Sequence, residues 1–354
     1  MNKVKYFIVF LFTFYGLFAA EDKKAAVYID DGCWDAGLIA FEKFLEFKNI
    51  EYDFINAESV RNGYLTNEKY AFIFISGGDA NVYFNNLGMR GINKIRNFVA
   101  KGGAYLGICA GAYLASDSVI WQGIEIDAAL SLFDGTAVGP LNEIIPWKNY
   151  IMTEIAVNRK NQISKYLAGG YSTLYYGGPA FYVHSGAKID TVATWNSYQN
   201  APAIINFEYK NGRVFLSGPH LEIEENSSRD GITFGEELYE PDSEWDILWA
   251  AVDWLMKREV SQMPLDKEEP SADNLSCRVF VANNEIKFYL PDNFATNSEI
   301  EIFNINGSKI SVATVSQTDN GKIISISRNN MSDGVYFYVI RLNRQSYFGK
   351  FLLY

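Results

Sequence analysis

One cysteine stands where a thiol could act as a nucleophile. In Gly107-Ile108-Cys109-Ala110-Gly111 a short apolar run, residues 104–107, enters a turn of small residues, and residues 110–115 then read as helix. A nucleophile on a tight strand-to-helix turn is held in strained geometry, and its neighbours two positions away must be small for the turn to close. A helix N-terminus behind the turn favours a thiolate and offers N–H groups to an oxyanion. The plainer alternative is a buried, inert Cys beside glycines that serve packing. A thiol nucleophile needs a proton carrier, and the chain has two histidines. His220 lies in Gly218-Pro219-His220-Leu221-Glu222, just past an apolar run at residues 212–217. In extended chain, His220 and Glu222 share one face, so the carboxylate could hold one ring nitrogen while the other faces the thiol. His184, after Phe181-Tyr182-Val183, reads as a structural or substrate-contact residue. Ser76-Gly77-Gly78-Asp79 follows another apolar run, so the Gly78 N–H is a candidate oxyanion donor beside that of Ala110. Cys33 falls in a loop that could approach the same edge; it reads as a modulating thiol, a disulfide partner or a surface Cys of no consequence.

These residues need a sheet to carry them. Residues 25–29, 51–55, 70–75, 104–107 and 212–217 are short apolar runs, while 37–48, 92–101 and 244–257 repeat apolar residues at helical spacing. That alternation predicts an α/β fold: a flavodoxin-like parallel sheet sandwiched by helices. Between about residues 120 and 214 helical stretches vanish and aromatic runs appear at 172–176, 180–184 and 203–209, which predicts a β-rich insertion or sheet extension that shapes the substrate cleft. Residues 261–276 are polar with two prolines and read as a linker. Seven strand-like runs separated by turn signals such as Asn306-Gly307 and Asp333-Gly334 then predict a small C-terminal β-sandwich over 277–354.

Lys3 and Lys5, the apolar run at 6–18, Ala19 and Ala20 have the layout of a secretory signal peptide over residues 1–20, leaving 21–260 for the α/β domain. No second segment has transmembrane length. Three cysteines (Cys33, Cys109, Cys277) are too few and too odd in number for a disulfide scaffold. A net charge of -11 and the lack of any basic run exclude a nucleic-acid surface. No metal or cofactor is expected.

The ordered motifs resemble class I glutamine amidotransferase-like domains, and more closely the family named for the N-terminal domain of biotin-protein ligases. They are Gly77-Gly78; Gly102-Gly103-Ala104-Tyr105-Leu106-Gly107-Ile108-Cys109-Ala110-Gly111-Ala112-Tyr113; Phe133-Asp134-Gly135-Thr136-Ala137-Val138-Gly139-Pro140; Tyr175-Tyr176-Gly177-Gly178-Pro179; and Ser217-Gly218-Pro219-His220. The match runs over about residues 25–257. The resemblance implies Cys109 as nucleophile, His220 as base and Glu222 as the orienting acid; Leu221 replaces the family's usual Pro. It implies a fold and a site, not a substrate. A biotin ligase needs a basic, Gly-rich adenylate-binding loop that is not read here, and an amidotransferase needs a synthetase partner. The stretch from Glu301-Ile302-Phe303-Asn304-Ile305-Asn306-Gly307 through Gly334-Val335-Tyr336-Phe337-Tyr338-Val339 resembles the type A sorting domain of the type IX secretion system; other sandwich modules share parts of that pattern. The expected protein is a secreted or cell-surface thiol hydrolase of amidase or peptidase type, with the type IX machinery as partner and a small molecule or peptide as substrate. The alternative is a catalytically silent binding protein on the same fold.

Overall fold

The computed structural model describes residues 23–263 and 278–353, apart from 128–129, 226–227, 239–242, 282–284, 291–298, 305–308, 315, 319–320, 329–330, 333 and 343–344. The expected signal peptide, most of the expected linker and Cys277 lie outside the described residues. Four strand–helix units open the chain: β1 (Lys24–Tyr28) and α1 (Asp35–Lys48), β2 (Tyr52–Ile55) and α2 (Ala57–Asn62), β3 (Tyr70–Ile75) and α3 (Ala80–Ala100), β4 (Ala104–Ile108) and α4 (Ala110–Ala115). A β-rich stretch follows: β5 (Ser116–Trp121), β6 (Ile124–Asp127), β7 (Phe133–Gly139), β8 (Ile151–Val157), β9 (Gly170–Tyr175), β10 (Ala180–Val183), β11 (Asp190–Trp195), β12 (Pro202–Tyr209) and β13 (Gly212–Ser217), then helix α5 (Trp245–Leu255).

The main sheet has nine strands in the order β2-β1-β3-β4-β13-β12-β11-β8-β9. Only the first five are mutually parallel. The other four join antiparallel. The parallel part has the order 2-1-3-4 with β13 in fifth place, the flavodoxin-like arrangement. Strands β1, β3, β4 and β13 are buried on both faces, which is why they read as nearly continuous apolar runs, while β2 at the edge is half-buried. On one face Val27, Phe72, Leu106 and Phe215 pack with Phe41 and Phe44 of α1 and Trp245 of α5. On the other, Ile73, Ile75, Tyr105 and Leu216 meet Ile92, Ile95 and Phe98 of α3.

The predicted β-rich region divides in two. Strands β8, β9, β11 and β12 extend the main sheet, while β5, β6, β7 and β10 form a separate four-stranded sheet in the order β10-β7-β5-β6. Helix α3 begins at Ala80, twelve residues before the helical spacing becomes legible, and Gly88 (φ 55°, ψ 176°) kinks it. Asp79 caps it, its carboxylate accepting from the N–H groups of Asn81 and Val82.

The C-terminal unit has eight described strands: β14 (Arg278–Val281), β15 (Glu285–Leu290), β16 (Glu299–Asn304), β17 (Lys309–Thr314), β18 (Ser316–Thr318), β19 (Gly321–Ser327), β20 (Gly334–Leu342) and β21 (Gln345–Leu353). They form two sheets, β14-β15-β19-β18 and β17-β16-β20-β21, one more strand than the turn signals separate. Ile286 and Phe288 of one sheet share a core with Ile300, Ile302, Tyr338 and Phe351 of the other.

Candidate functional site

The C-terminal ends of β1, β3, β4 and β13 lie along one edge of the sheet, where open α/β folds assemble their sites. Cys109 sits between β4 and α4 with φ 49° and ψ -104°, a conformation L residues rarely hold. The turn closes because Gly107 has no side chain: a Cβ there would sit 2.7 Å from the Gly111 carbonyl. Cys109 N–H donates to Ser217 O at 2.9 Å and so ties the turn to β13. Backbone strain of this kind costs about 1–3 kcal/mol in a non-glycine residue. Cys109→Gly should therefore be more stable than Cys109→Ala, by about 1–2 kcal/mol once the flexibility of the glycine chain is subtracted. Urea melts of the two variants check this; elsewhere Ala is normally the more stable of the pair.

His220 and Glu222 are 1% and 0% exposed. The His220 N–H donates to Leu174 O at 3.0 Å, and the Trp245 indole donates to Glu222 O at 2.9 Å, so both neighbouring elements fix this segment. The segment turns at Leu221 and Glu222 rather than staying extended, and the turn brings His220 Nδ1 within 2.8 Å of Glu222 Oε1. With Leu221 in place of the family's Pro, the contact still forms. The carboxylate accepts, so Nδ1 carries the hydrogen and Nε2 is left for other work. Nε2 has no hydrogen-bond partner among the described residues. A Cβ on Gly77 would lie 2.6 Å from His220 Cε1 and 3.6 Å from Cys109 Cβ, so the two side chains meet over one glycine. The edge of the Trp34 indole packs against the His220 ring at 4.7 Å between centroids, with planes at 76°. Burial works to keep the ring neutral, but the charge of Glu222 and the hydrogen bond to it outweigh burial, raising the pKa to about 10. The direction of that shift favours an imidazolium paired with Glu222.

Gly78 and Ala110 both line a cavity of about 410 Å³ that opens beside Cys109. Ala110 is the first residue of α4, so its N–H is among those a helix leaves without an internal acceptor. Gly78 (φ 140°) faces Cys33 in an isolated antiparallel bridge. The hydrogen bonds flanking that bridge run from Asp79 N to Gly32 O and from Trp34 N to Gly77 O.

The bridge decides the position of Cys33, which is partly buried against both faces of the core rather than on open surface. Burial pushes its thiol up to about 12. His184 lies just beyond β10, exposed, with Nδ1 3.1 Å from Asp134 Oδ1 and Nε2 3.1 Å from Thr136 Oγ1. Asp117, Asp134 and His184 are grouped closely enough to hold a metal ion, but all three are exposed and none lines the cavity beside Cys109.

Aromatic residues outside the runs at 180–184 and 203–209 also build the site. Trp34 packs on His220, Tyr176 accepts from the Cys109 thiol through its carbonyl at 3.6 Å, and Trp121 and Trp147 wall the cavity. Only Tyr176 had a signal, since it lies inside the Tyr175-Tyr176-Gly177-Gly178-Pro179 motif.

Two family models match the chain. "Biotin-protein ligase, N terminal" covers residues 42–241, more than half of it, and "Secretion system C-terminal sorting domain" covers residues 282–353. An uncharacterized protein of Chlamydia muridarum is 30% identical over 175 residues, 48% of this chain and 66% of that protein. A biotin–protein ligase of Schizosaccharomyces pombe is 27% identical over 170 residues, 45% of this chain and 26% of that enzyme. The chain thus spans just under two thirds of one relative and about a quarter of the other. A crystal structure of a glutamine amidotransferase aligns over 60% of this chain and 97% of its own, with a TM-score of 0.42 and 16% identity. The type IX sorting domain marks a secreted or cell-surface protein, and among the described residues no helix is long and apolar enough to cross a membrane. The chain belongs to the family named for the N-terminal domain of biotin-protein ligase, and it carries a secretion-system C-terminal sorting domain.

Proposed function

We propose that the protein is an exported thiol hydrolase of amidase or peptidase type. The observation that carries this reading is the strained Cys109 turn placed over the same glycine as a buried, charge-paired His220, at the wall of a cavity. In this reading the Cys109 sulfur attacks an amide carbonyl, and the N–H groups of Gly78 and Ala110 hold the oxygen as it gains charge. The imidazolium of His220 gives its Nε2 proton to the departing amine. The neutral ring then takes a proton from the water that hydrolyses the thioester, which returns Cys109 and releases the acid. Glu222 holds the ring in the tautomer and orientation that both steps need.

The same fold also supports a catalytically silent binding protein. One observation favours that reading: the Cys109 thiol is directed at the Tyr176 carbonyl, not at a hydrogen-bonded His220 nitrogen. Alkylation with iodoacetamide near neutral pH separates the two. An activated site should label at Cys109 faster than a free thiol does, with Cys109→Ser unlabelled there and Cys33 untouched because its thiol stays protonated. Peptide mapping by mass spectrometry reads both sites. Labelling of Cys109 at or below the free-thiol rate favours the silent protein.

A further inference from the structure

We infer that the cavity beside Cys109 takes an aromatic side chain of a neutral or cationic amide, and selects against acids and against a glutamine-like carboxamide. The inference rests on Cys109 being the residue at which the amide is presented. It comes from the chemistry of the walls. Phe84 of α3, Tyr113 of α4, Trp121 at the end of β5 and Trp147 supply the aromatic surface. Leu114, Val119 and Ile126 complete the apolar lining. The aromatic walls hold one another: Tyr113 meets Trp121 edge-on at 5.4 Å, and Trp121 meets Trp147 at 5.0 Å, both with planes at 82°. The Tyr113 hydroxyl is already committed, donating to Gly177 O at 3.0 Å. A carboxamide pushed against these walls would give up water hydrogen bonds with little in return, whereas an aryl group gives up none. A volume of about 410 Å³ lies within the range of small-molecule sites.

Charge sets the other half of the preference. The polar lining is Asp79, Asn81 and Asp127, and among the described residues no Lys, Arg or His lines the cavity. Both carboxylates are exposed, so each acts modestly. They act in the same direction as the net charge of -11 over the whole chain. An ammonium near the reacting amide is welcome, and a carboxylate is not. The walls from Val119, Trp121, Ile126 and Asp127 come from β5 and β6 of the separate small sheet, so one side of the specificity surface is built apart from the strands that carry Cys109 and His220.

Calorimetric titration of the full-length Cys109→Ala protein tests the preference without any turnover. The probes are L-phenylalaninamide, L-glutaminamide and N-acetyl-L-phenylalanine. Phenylalaninamide should bind saturably, on the order of tenfold or more tighter than either of the others, and Trp121→Ala should remove most of that advantage. Equal or tighter binding of glutaminamide or of the acid overturns the inference, as does the absence of saturable phenylalaninamide binding. The alkylation rate of Cys109 in the wild type reads the nucleophile separately. A reactive Cys109 with no aryl preference sinks only the specificity, and aryl-selective binding beside an unreactive Cys109 sinks only the hydrolase.

Discussion

In the proposed hydrolase, Glu222→Gln is expected to lower the rate of amide hydrolysis on the order of 10⁴-fold, the size of loss that follows when a triad carboxylate becomes an amide, while leaving the fold intact. The substitution keeps shape and removes charge. The Glu222 charge is the strongest influence opposing burial of the His220 cation, and Glu222 is itself fully buried, so no water replaces what it supplies. With a neutral partner, burial prevails and the ring gives up its proton, so the departing amine loses its acid. A glutamine can also offer its own N–H to Nδ1 and hold the ring in the wrong tautomer. Stability carries the same signature. The folded pKa of about 10 exceeds the ordinary 6.5, so the native state binds more protons than the unfolded chain between those values. The contribution of His220 is therefore complete below about 6.5 and is lost as pH rises toward 10, with a slope of at most about 1.4 kcal/mol per pH unit. Cys33, whose ordinary value is 9.0, adds a separate loss only above that. Urea midpoints at pH 6, 8 and 9 should fall for the wild type and stay nearly flat for Glu222→Gln. A variant that retains full turnover, or whose midpoints fall in parallel with the wild type, removes Glu222 from the role given to it.

The parts of this site that the sequence announced are those written in local chain. The Cys109 turn needs a strand, small residues two positions away and a helix, all within twelve residues. The pairing of His220 with Glu222 needs two residues on one short segment. Strands β1, β3, β4, β12 and β13 are apolar runs because they are covered on both faces or lie deep in the sheet. What stayed hidden depends on distant partners. The small sheet joins β5 to β10 through β7, across more than sixty residues, and Ser116–Trp121 and Ile124–Asp127 carry no periodicity that assigns them to a second sheet. The first half of α3 was masked by composition. Asn86, Gly88 and Gly91 are weak helix formers, and the Asp79 cap, the burial of Tyr83 and Leu87, and hydrogen bonds linking Asn86 to Arg61 and Asp31 hold that stretch in place. Trp34 and Trp147 reach the site from loops, so nothing in their immediate sequence distinguishes them from other aromatic residues of a chain that holds 7 Trp, 23 Tyr and 25 Phe.

Gly111→Ala is expected to destabilise the protein by about 3 kcal/mol or more, and to slow Cys109 chemistry in whatever fraction still folds. The new Cβ would run into the Ile75 carbonyl oxygen, which belongs to the backbone of β3 and cannot rotate aside. The same place holds a hydrogen bond from Gly111 N to Ser76 O at 3.1 Å, so backbone atoms dock helix α4 directly to the end of β3. Relief requires α4 to slide off β3. That motion carries Ala110 away from Gly78 and Cys109 away from the glycine over which it meets His220. Stability and chemistry are thus lost together here, through a backbone clash rather than a lost charge. Urea melts measure the first loss, and iodoacetamide labelling at a temperature where the variant remains folded measures the second. If Gly111→Ala melts within about 1 kcal/mol of the wild type, the close contact of α4 with β3 is not what sets the turn, and the geometry of Cys109 must be held from β13 through Ser217 instead.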